Sequence, residues 1–441
     1  MQMEYKDVAD GLYYDQLKGD QLRKFQLEKI RSVLKYVDVN SKYYHRMFRE
    51  AGFNADTFSC LEDIERIPFT DKEQLQQWNL DFLNVHLSKV AEYVTTSGTL
   101  GRPVQLMLTE HDLKRLAYNE ARGLTIAGIS ADDVVQITTT LDRRFMAGLA
   151  YYLGCRLIGS ATIRVGVGAP QLQWETIIDM SPTVLIGVPS FIVKLIEYAQ
   201  EAGIEVRNSS VKKVVCIGEP IRESSLKWNK VGQYINDNWG VALYSTYAST
   251  EMATAFTECY CGKGGHQLNE LIYTEIIDEE GHVLGPNMVG ELVVTTFGLE
   301  GMPLVRFKTG DLVERMEEKC ACGRNSIRLS PVIGRKGQLI KFKGTTVYPS
   351  AIQQILDHVP EVETYVIEVV LNEFGEDHIQ VLLAVKGDKE RVLKNLKEQC
   401  QAHIRVSPEF LLREPSFVNH LRNRPEMRKP IVFIDNRIKK G

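Results

Sequence analysis

The chain has 441 residues, a formal net charge of −4 and 44% hydrophobic residues, a composition typical of a globular protein with more than one core. This charge gives no electrostatic reason to expect a nucleic acid or an acidic membrane surface as a partner, and no apolar run reaches membrane-spanning length. The polar N-terminus lacks an apolar signal core, so we expect a cytoplasmic protein whose eight cysteines are reduced.

The first part of the chain reads as helices followed by alternating strands and helices. Apolar residues at helical spacing between residues 14 and 50 predict two helices. Farther along, strand-like and helical runs alternate, which favours an α/β fold with mostly parallel strands. The predicted strands are 134–137, 183–187 and 211–217, and the predicted helices are 191–203 and 224–232.

The later part of the chain changes character twice. Short strands and turns between residues 270 and 315 predict a smaller β unit. A new pattern follows Gly334, which predicts a domain 1–334 and a small α+β domain 335–441. The elements predicted in the second domain are helices 349–358 and 388–402 and strands 363–371, 378–385 and 431–435.

A loop rich in glycine and hydroxyl residues lies between two strand-like runs, 90–94 and 104–108. It reads Thr95-Thr-Ser-Gly-Thr-Leu-Gly-Arg-Pro103. Glycine allows close approach of the backbone, and the hydroxyls are neutral donors, so the loop is suited to surround a phosphate. It lacks the Gly-Lys-Ser/Thr of a Walker loop, and an ordinary hairpin loop is the alternative.

Three further motifs lie downstream. Tyr247-Ala-Ser-Thr-Glu251 combines an aromatic ring, hydroxyls and one carboxylate, which suits a site that stacks a base and holds Mg²⁺. Its alternative is a strand end with a helix cap at Thr250. Thr309-Gly-Asp311 would place a carboxylate against a ribose, although Gly-Asp turns are common. The third motif, Gly334 to Gly344, lies at the predicted domain boundary.

Two Cys-x-Cys-Gly turns indicate a metal site. They read Cys259-Tyr-Cys-Gly262 and Cys320-Ala-Cys-Gly323, and His266 follows the first. Thiolates and an imidazole form a closed tetrahedral site suited to structural Zn²⁺. Five candidates compete for four positions, and reduced cysteines without a metal are the alternative. The candidates are Cys259, Cys261, His266, Cys320 and Cys322.

The order and spacing of these motifs resemble the adenylate-forming superfamily, in its phenylacetate–CoA ligase-like branch. Thr96 to Pro103 match the family loop except at Leu100, and Tyr247 to Glu251 match its Tyr-Gly-x-Ser/Thr-Glu element except at Ala248. Other segments similar to the family are Ser41 to Gly52, Ile67 to Glu73, Arg306 to Leu312 and Gly334 to Pro349.

The resemblance implies a fold with a large adenylate-forming domain of parallel sheets and a mobile C-terminal domain. It implies two steps: ATP and a carboxylic acid give an acyl-adenylate, and coenzyme A then displaces AMP. Glu251 would hold Mg²⁺, and Thr99 and Glu251 would act in catalysis. The residues assigned to ATP are Thr96, Ser97, Gly98, Thr99 and Gly101 at the phosphates, Gly218, Glu219 and Pro220 in a nucleotide-contacting turn, Tyr247, Ala248, Ser249 and Thr250 near the adenine, and Asp311 and Arg335 at the ribose.

The resemblance also assigns a catalytic lysine to the C-terminal domain. Counting back from Asp435 places Lys429 at that position, although Arg428 replaces the family's glycine and the Pro-Arg order is inverted. A basic, solvated tail is the alternative. For the metal, the resemblance favours the set without Cys261, which becomes the substitute.

Three departures leave the function open in detail. Leu100 removes a hydroxyl from the phosphate loop, and Gly337 stands where the family has a hinge Asp. The expected acyl site, 139–148 with 187–190, carries Arg143 and Arg144, which would either pair with a second polar or acidic group on the substrate or face solvent.

The leading hypothesis is an ATP-dependent, AMP-forming ligase that joins an aryl or related small carboxylic acid to coenzyme A. An adenylating enzyme that serves a carrier protein or an amine is one alternative. A degenerate nucleotide-binding protein without catalysis is another. The expected ligands are ATP, Mg²⁺, coenzyme A and structural Zn²⁺, with a homodimer left open.

Overall fold

The computed structural model describes residues 5, 8, 11–96, 103–338, 340–342, 345–372, 375–424 and 430–437. The backbone divides into two compact units. The first comprises residues 1–309 and 313–332, and the second comprises residues 310–312 and 333–441.

The first unit opens with helices that cover one part of its core. They are α1 (Gly11–Gln16), α2 (Gly19–Asn40), α3 (Lys42–Glu50) and α4 (Lys72–Gln77), with 3₁₀ turns at Ala55–Thr57, Leu61–Arg66, Asn79–Phe82 and Leu87–Lys89. Ile30, Leu34 and Val37 lie on one face of α2 and are fully buried. The chain turns into α3 at Ser41, whose hydroxyl accepts a hydrogen bond from the Tyr44 amide.

Helix α1 is held by charged residues from distant parts of the chain. The buried carboxylate of Asp15 accepts hydrogen bonds from Arg122 (2.7 Å) and from Arg324 (3.0 Å). Arg122 also pairs with the buried Glu270 at 3.2 Å. Buried charges of this kind are tolerated because each is paired with a partner of opposite sign.

A large mixed sheet forms the centre of the first unit. In this sheet β4, β3, β5, β6 and β7 lie side by side in parallel, while β1 and β2 form a separate antiparallel hairpin. Helices α6 to α9 connect the parallel strands, as expected for parallel crossovers, and α5 leads from β2 to β3. The elements are β1 (Val90–Thr95), β2 (Gln105–Thr109), α5 (Glu110–Ile126), β3 (Val134–Ile137), α6 (Met146–Ile158), β4 (Ala161–Arg164), α7 (Pro170–Met180), β5 (Val184–Gly187), α8 (Pro189–Glu201), β6 (Lys213–Ile217), α9 (Lys230–Trp239) and β7 (Ala242–Ser249).

Beyond β7 the sheet continues with antiparallel pairing. The strand order is β10-β11-β12-β13-β9-β8-β7, which joins the smaller β unit to the parallel strands. These strands are β8 (Thr254–Glu258), β9 (Gly265–His266), β10 (Ile272–Ile277), β11 (Val289–Thr296), β12 (Phe307–Met316) and β13 (Arg328–Leu329).

The second unit is built on a four-stranded sheet in the order β19-β18-β17-β20. Its apolar core includes Ile352, Ile367, Val381 and Leu396. Its elements are β14 (Gly334–Arg335), a 3₁₀ turn Lys336–Gln338, β15 (Ile340–Phe342), β16 (Thr345–Val347), α10 (Pro349–Asp357), β17 (Val362–Leu371), β18 (Asp377–Val385), α11 (Lys389–Ile404), β19 (Glu409–Leu412), α12 (Pro415–Arg422) and β20 (Phe433–Asp435).

The predicted fold class is confirmed, and one predicted helix is wrong. Residues 224–228 form turns, with Leu226 in the left-handed region at φ 66° and a bridge between Arg222 and Trp228. The helix begins only at Lys230, because the Asn229 side chain caps it by accepting from the Gly232 amide. Over the described part of the chain, no helix combines the length and apolar character needed to cross a bilayer.

Candidate functional site

The parallel strands bring several of the sequence motifs to one edge of the sheet. Strands β3, β5, β6 and β7 are adjacent and parallel, so their carboxyl ends meet at that edge. In open α/β sheets, ligands bind in the crevice beyond these ends. The segments that follow the strands contain the predicted acyl-site residues, the Gly218-Glu-Pro220 turn and Glu251.

Tyr247 lies on strand β7 itself, because β7 extends to Ser249. Its ring stacks on that of Phe256 from β8, with 5.9 Å between ring centroids and 28° between planes. Phe256 is buried and Tyr247 is half-buried. Phe256 therefore fixes the plane of the Tyr247 ring at the predicted adenine site.

A hydrogen bond to the Ser249 hydroxyl closes the turn after β7. Ser249 accepts a hydrogen bond from the Met252 amide at 3.2 Å. Ala248 and Thr250 flank Ser249 in the same segment, and none of the three is buried. The alternative interpretation of Thr250 as a helix cap is wrong, since a turn and then strand β8 follow β7 in this described segment.

Glu251 is paired with a residue that no sequence motif selected. Lys72 Nζ lies 3.4 Å from Glu251 Oε1, and the Glu251 side chain is only 11% exposed. Lys72 is the first residue of α4, which Asp71 caps by accepting from the Gln74 amide. The signal for Lys72 was its place in the Ile67–Glu73 segment, but nothing in the spacing linked that segment to Glu251.

The Glu219 side chain is bound to Ser190. Its two carboxylate oxygens accept from the Ser190 amide and the Ser190 hydroxyl, each at 2.9 Å. Gly218 has φ 74°, the left-handed conformation that glycine adopts without strain. The turn that contains the predicted nucleotide contacts is therefore tied to the first turn of α8.

Asp311 and Arg335 form an ion pair within the second unit. Arg335 Nε donates to Asp311 Oδ1 at 2.9 Å, and their residues pair across β12 and β14. The Asp311 side chain is 8% exposed and that of Arg335 is 49% exposed. Gly310, at φ 76°, supplies the backbone conformation that precedes Asp311.

The cysteine turns and His266 come together as a group of four ligand atoms within 4.8 Å of one another. The members are Cys259, His266, Cys320 and Cys322. The Cys259 and Cys320 sulfurs are 3.6 Å apart, and Cys322 Sγ lies 3.5 Å from His266 Nε2. Cys261 lies outside this set.

The surroundings of His266 keep its Nε2 available to a metal. Its Nδ1 lies 2.9 Å from the Ser326 hydroxyl, which orients the ring. Burial, with the charges of Arg324 and Arg328, lowers the pKa of His266 to about 3, so the ring is neutral at physiological pH. Three sulfurs and one neutral imidazole nitrogen fit the donor set of a structural zinc site.

Two groups of predicted residues cannot be placed in this way. Ser97, Gly98, Thr99, Leu100 and Gly101 of the phosphate loop lie outside the described residues, as does Lys429. Thr96 is described and buried, and its hydroxyl accepts from the Val104 amide at 3.0 Å. Thr96 thus closes the base of the β1–β2 hairpin.

The expected acyl-site segment after β3 has an unusual backbone. Arg143 and Arg144 are consecutive residues with φ 57° and 58°, a backbone region that residues other than glycine rarely adopt. The Arg144 carbonyl accepts from the Thr95 amide at 3.0 Å, which ties this turn to the end of β1. Both arginines are exposed.

The mixed sheet of the first unit, the small second unit and the motifs at the carboxyl ends of the parallel strands define an α/β enzyme of the adenylate-forming class. The chain belongs to the AMP-binding enzyme family, whose model matches residues 53–300. Within that family it lies in the phenylacetate–CoA ligase-like branch, as the sequence motifs predicted.

Two curated relatives and one solved structure illustrate this membership. Phenylacetate-coenzyme A ligase of Thermus thermophilus is 30% identical over 374 residues, which cover 84% of this chain and 82% of the relative. The enzyme of the same name from Pseudomonas putida is 26% identical over 407 residues, covering 89% and 90%. The structure of 2-hydroxyisobutyryl-CoA ligase with 2-HIB-AMP has a TM-score of 0.85 at 23% identity, covering 97% of this chain and 92% of that one, and it supports the fold.

Proposed function

We propose that the protein is an ATP-dependent, AMP-forming ligase that joins a small carboxylic acid to coenzyme A. The observation that carries this proposal is the 30% identity with a phenylacetate-coenzyme A ligase over most of both chains. The convergence of Tyr247, Glu251 and the Gly218–Pro220 turn near one sheet edge supports it, because this edge is where α/β enzymes bind nucleotides.

The first step of the proposed reaction is attack by the substrate carboxylate on the α-phosphorus of ATP. A bond forms between the carboxylate oxygen and phosphorus, and pyrophosphate leaves with its electron pair. Tyr247, fixed by Phe256, would hold the adenine, and Glu251 would supply one carboxylate ligand to Mg²⁺. When bound, Mg²⁺ spreads the charge that develops on the phosphates.

Lys72 supplies an ammonium group beside Glu251 in the proposed nucleotide site. Its ammonium group neutralises Glu251, which is mostly buried and would otherwise be an unpaired anion. If Glu251 holds Mg²⁺, Lys72 would be able to pair with an anionic oxygen of the nucleotide instead. Lys429 would contact the reacting groups during this same step, in accordance with the resemblance.

In the second step, the thiol sulfur of coenzyme A attacks the acyl carbon. The carbon–oxygen bond to AMP breaks, AMP leaves, and the thiol proton is released. We propose that residues 1–334 bind the nucleotide and acid, and that residues 335–441 form the mobile domain that distinguishes the two steps. Asp311 and Arg335 would contact the ribose as a pair.

We also propose that Cys259, His266, Cys320 and Cys322 hold a structural zinc ion. The compact four-ligand group and the oriented, neutral His266 support this choice over the set that includes Cys261. Such a site would join two loops that are distant in sequence, so its contribution would be to stability.

A panel of carboxylic acids tests the proposed reaction. Purified protein is assayed with ATP and Mg²⁺ for pyrophosphate release, with and without coenzyme A, and the thioester is identified by mass. We expect AMP, pyrophosphate and thioester in equal amounts with at least one small acid. Amide formation without coenzyme A, or acyl transfer only to a carrier protein, would favour an alternative acceptor. ATP binding without pyrophosphate release across the panel would favour a degenerate nucleotide-binding protein.

A further inference from the structure

Helix α8 begins without a capping side chain of its own. Its N-cap residue is Val188, and no side chain of the N-cap accepts a hydrogen bond from the first turn. Helices normally satisfy some of these free amides with a local Ser, Thr, Asp or Asn. In α8, Glu219 from the end of the neighbouring strand β6 accepts from the Ser190 amide instead.

The bond to α8 uses the whole Glu219 carboxylate. One oxygen accepts from the Ser190 amide and the other from the Ser190 hydroxyl, both at 2.9 Å. A carboxylate near a helix N-terminus is also favoured by the helix dipole. The Glu219 side chain is therefore engaged with the protein, while Gly218 and Pro220 on either side of it are exposed.

The same turn is held from its other end. Asn229, which caps α9, donates from Nδ2 to the Pro220 carbonyl at 2.8 Å, and its amide donates to the Ile221 carbonyl at 3.0 Å. The turn after β6 is thus fixed between the starts of α8 and α9. Of these two attachments, the one through Glu219 reaches the segment 187–190, which spans the end of β5 and the start of α8.

We propose that Glu219 is a positioning residue that sets the spacing between the acid-binding segment 187–190 and the nucleotide-binding turn 218–220. This inference rests on the proposed function, which assigns the two segments to the two substrates. The backbone of the turn contacts the nucleotide, and the Glu219 side chain acts through Ser190 on the acid side.

The consequence for catalysis follows from the geometry of in-line attack. The acid carboxylate must approach the α-phosphorus to about 3–3.5 Å, and a misplacement of about 1 Å can cost about 100-fold in rate. Because one carboxylate joins the two segments, its loss should impair both substrates together. A residue that only caps α8 would lower stability without this joint effect.

The test compares Glu219→Ala, Glu219→Gln, Ser190→Ala and the double variant Ser190→Ala/Glu219→Ala. Asp388→Ala is the matched control, since Asp388 caps α11 in the second unit by accepting from two amides. For each protein we would measure the ATP dissociation constant by calorimetry, kcat and the KM of the best acid, and the thermal unfolding midpoint.

For Glu219→Ala we expect weaker ATP binding and a higher KM for the acid, each by about tenfold, because two hydrogen bonds to a charged group are lost. Ser190→Ala retains the backbone amide donor, so we expect the ATP dissociation constant and the acid KM to rise by only about threefold each. The double variant should have the same ATP dissociation constant and acid KM as Glu219→Ala. Both constants of Glu219→Gln should lie between those of Glu219→Ala and wild type. Asp388→Ala should lower the thermal unfolding midpoint and leave the ATP dissociation constant and the acid KM unchanged.

A lowered midpoint in Glu219→Ala with unchanged ATP affinity and acid KM would overturn the inference and leave Glu219 as a helix cap. Additive effects of the two single substitutions would overturn it too, since they would mean that Ser190 and Glu219 act separately. Failure of the proposed function would appear differently, as a wild-type protein that binds ATP but turns over no acid. In that case the ATP affinity of Glu219→Ala still decides whether Glu219 positions the nucleotide turn.

Discussion

The Lys72 ammonium group lies 3.4 Å from Glu251, so a helix near the N-terminus places a cation beside the carboxylate proposed to hold Mg²⁺. The two residues are far apart in sequence, and both belong to the first unit. The carboxylate is mostly shielded from water, so the ion pair fixes its position before any ligand binds.

Glu251→Gln should lower adenylation by about 100-fold, since a neutral amide is a poor ligand for Mg²⁺ and loses the pair with Lys72. Lys72→Met should lower kcat/KM for ATP by about tenfold, because the site loses an ammonium group that can pair with an anionic oxygen of the nucleotide. Pyrophosphate release as a function of Mg²⁺ and ATP concentration measures both effects. Lys35→Met, which breaks an exposed pair with Asp56, is the control and should match wild type. Equal activity of Lys72→Met and Lys35→Met would argue against a role for Lys72.

Lys429→Ala should reduce acyl-adenylate formation by about 100- to 1000-fold, the size of effect seen when a charge-stabilising group is removed. Conversion of separately prepared acyl-adenylate and coenzyme A to the thioester should change much less, since that step has no pentavalent phosphorus. Arg428→Ala removes the neighbouring positive charge and should retain adenylation. If the two variants lose adenylation equally, the assignment of Lys429 is wrong and the segment acts only as a basic tail.

Protein purified without added metal should contain about one zinc ion per chain. Cys320→Ser should abolish the zinc content and lower the thermal midpoint, because Cys320 is buried within the four-ligand group. Cys261→Ser should retain zinc, since Cys261 lies outside that group. Metal analysis by mass spectrometry checks the three proteins, and a metal-free wild type or a zinc-free Cys261→Ser variant would contradict the assignment.

Glu120 should make stability depend on pH. Burial raises its pKa to about 8, and Asn119 donates a hydrogen bond to it at 3.0 Å. The titratable groups near it are Tyr151 and Cys155 on α6, which stay neutral in this range because burial raises the pKa of both. The folded protein keeps a proton that the unfolded chain releases near pH 4.5, so this contribution to stability declines as pH rises from about 4.5 to about 8.

Glu120→Gln cannot ionise, and its stability relative to wild type should therefore rise between about pH 5 and about pH 8.5. Thermal midpoints measured across this range would show diverging curves. Glu398→Gln, at an exposed position of α11, should follow wild type throughout. Parallel curves for Glu120→Gln and wild type would mean that Glu120 is ionised in the folded protein.

Local sequence signals predicted much of the fold because they act over short distances. The apolar spacing of Leu27 to Val37 predicted a helix, and the run 211–217 predicted a strand, which the structure has at Lys213–Ile217. The helix predicted from Ser224 failed since the Leu226 turn and the Asn229 cap delay it, and the short hairpin β15–β16 carried too few residues for a pattern.

The site was predictable only as far as its motifs are continuous in sequence. The motif Tyr247–Glu251 and the set of Cys259, His266, Cys320 and Cys322 were identified from spacing and resemblance. The pairs Lys72–Glu251 and Ser190–Glu219 were not, because they arise from packing of separate elements against the sheet. The proposed acyl site combines residues 139–148 and 187–190 from separate elements, so no continuous motif specified the acid.

The attachment of α1 has a consequence during synthesis of the chain. Asp15 accepts one hydrogen bond from Arg122 and a second from Arg324, which follows 309 residues later. At about 5–20 residues per second, a ribosome needs roughly 15–60 s to add that stretch, and Arg324 must then clear the exit tunnel. The pair of Asp15 with Arg122 can form early, but the attachment of the first helix is complete only when most of the polypeptide has been made. Completion of this attachment is a late event of biogenesis, and a chain truncated before residue 324 would lack the second of the two pairs that hold the helix.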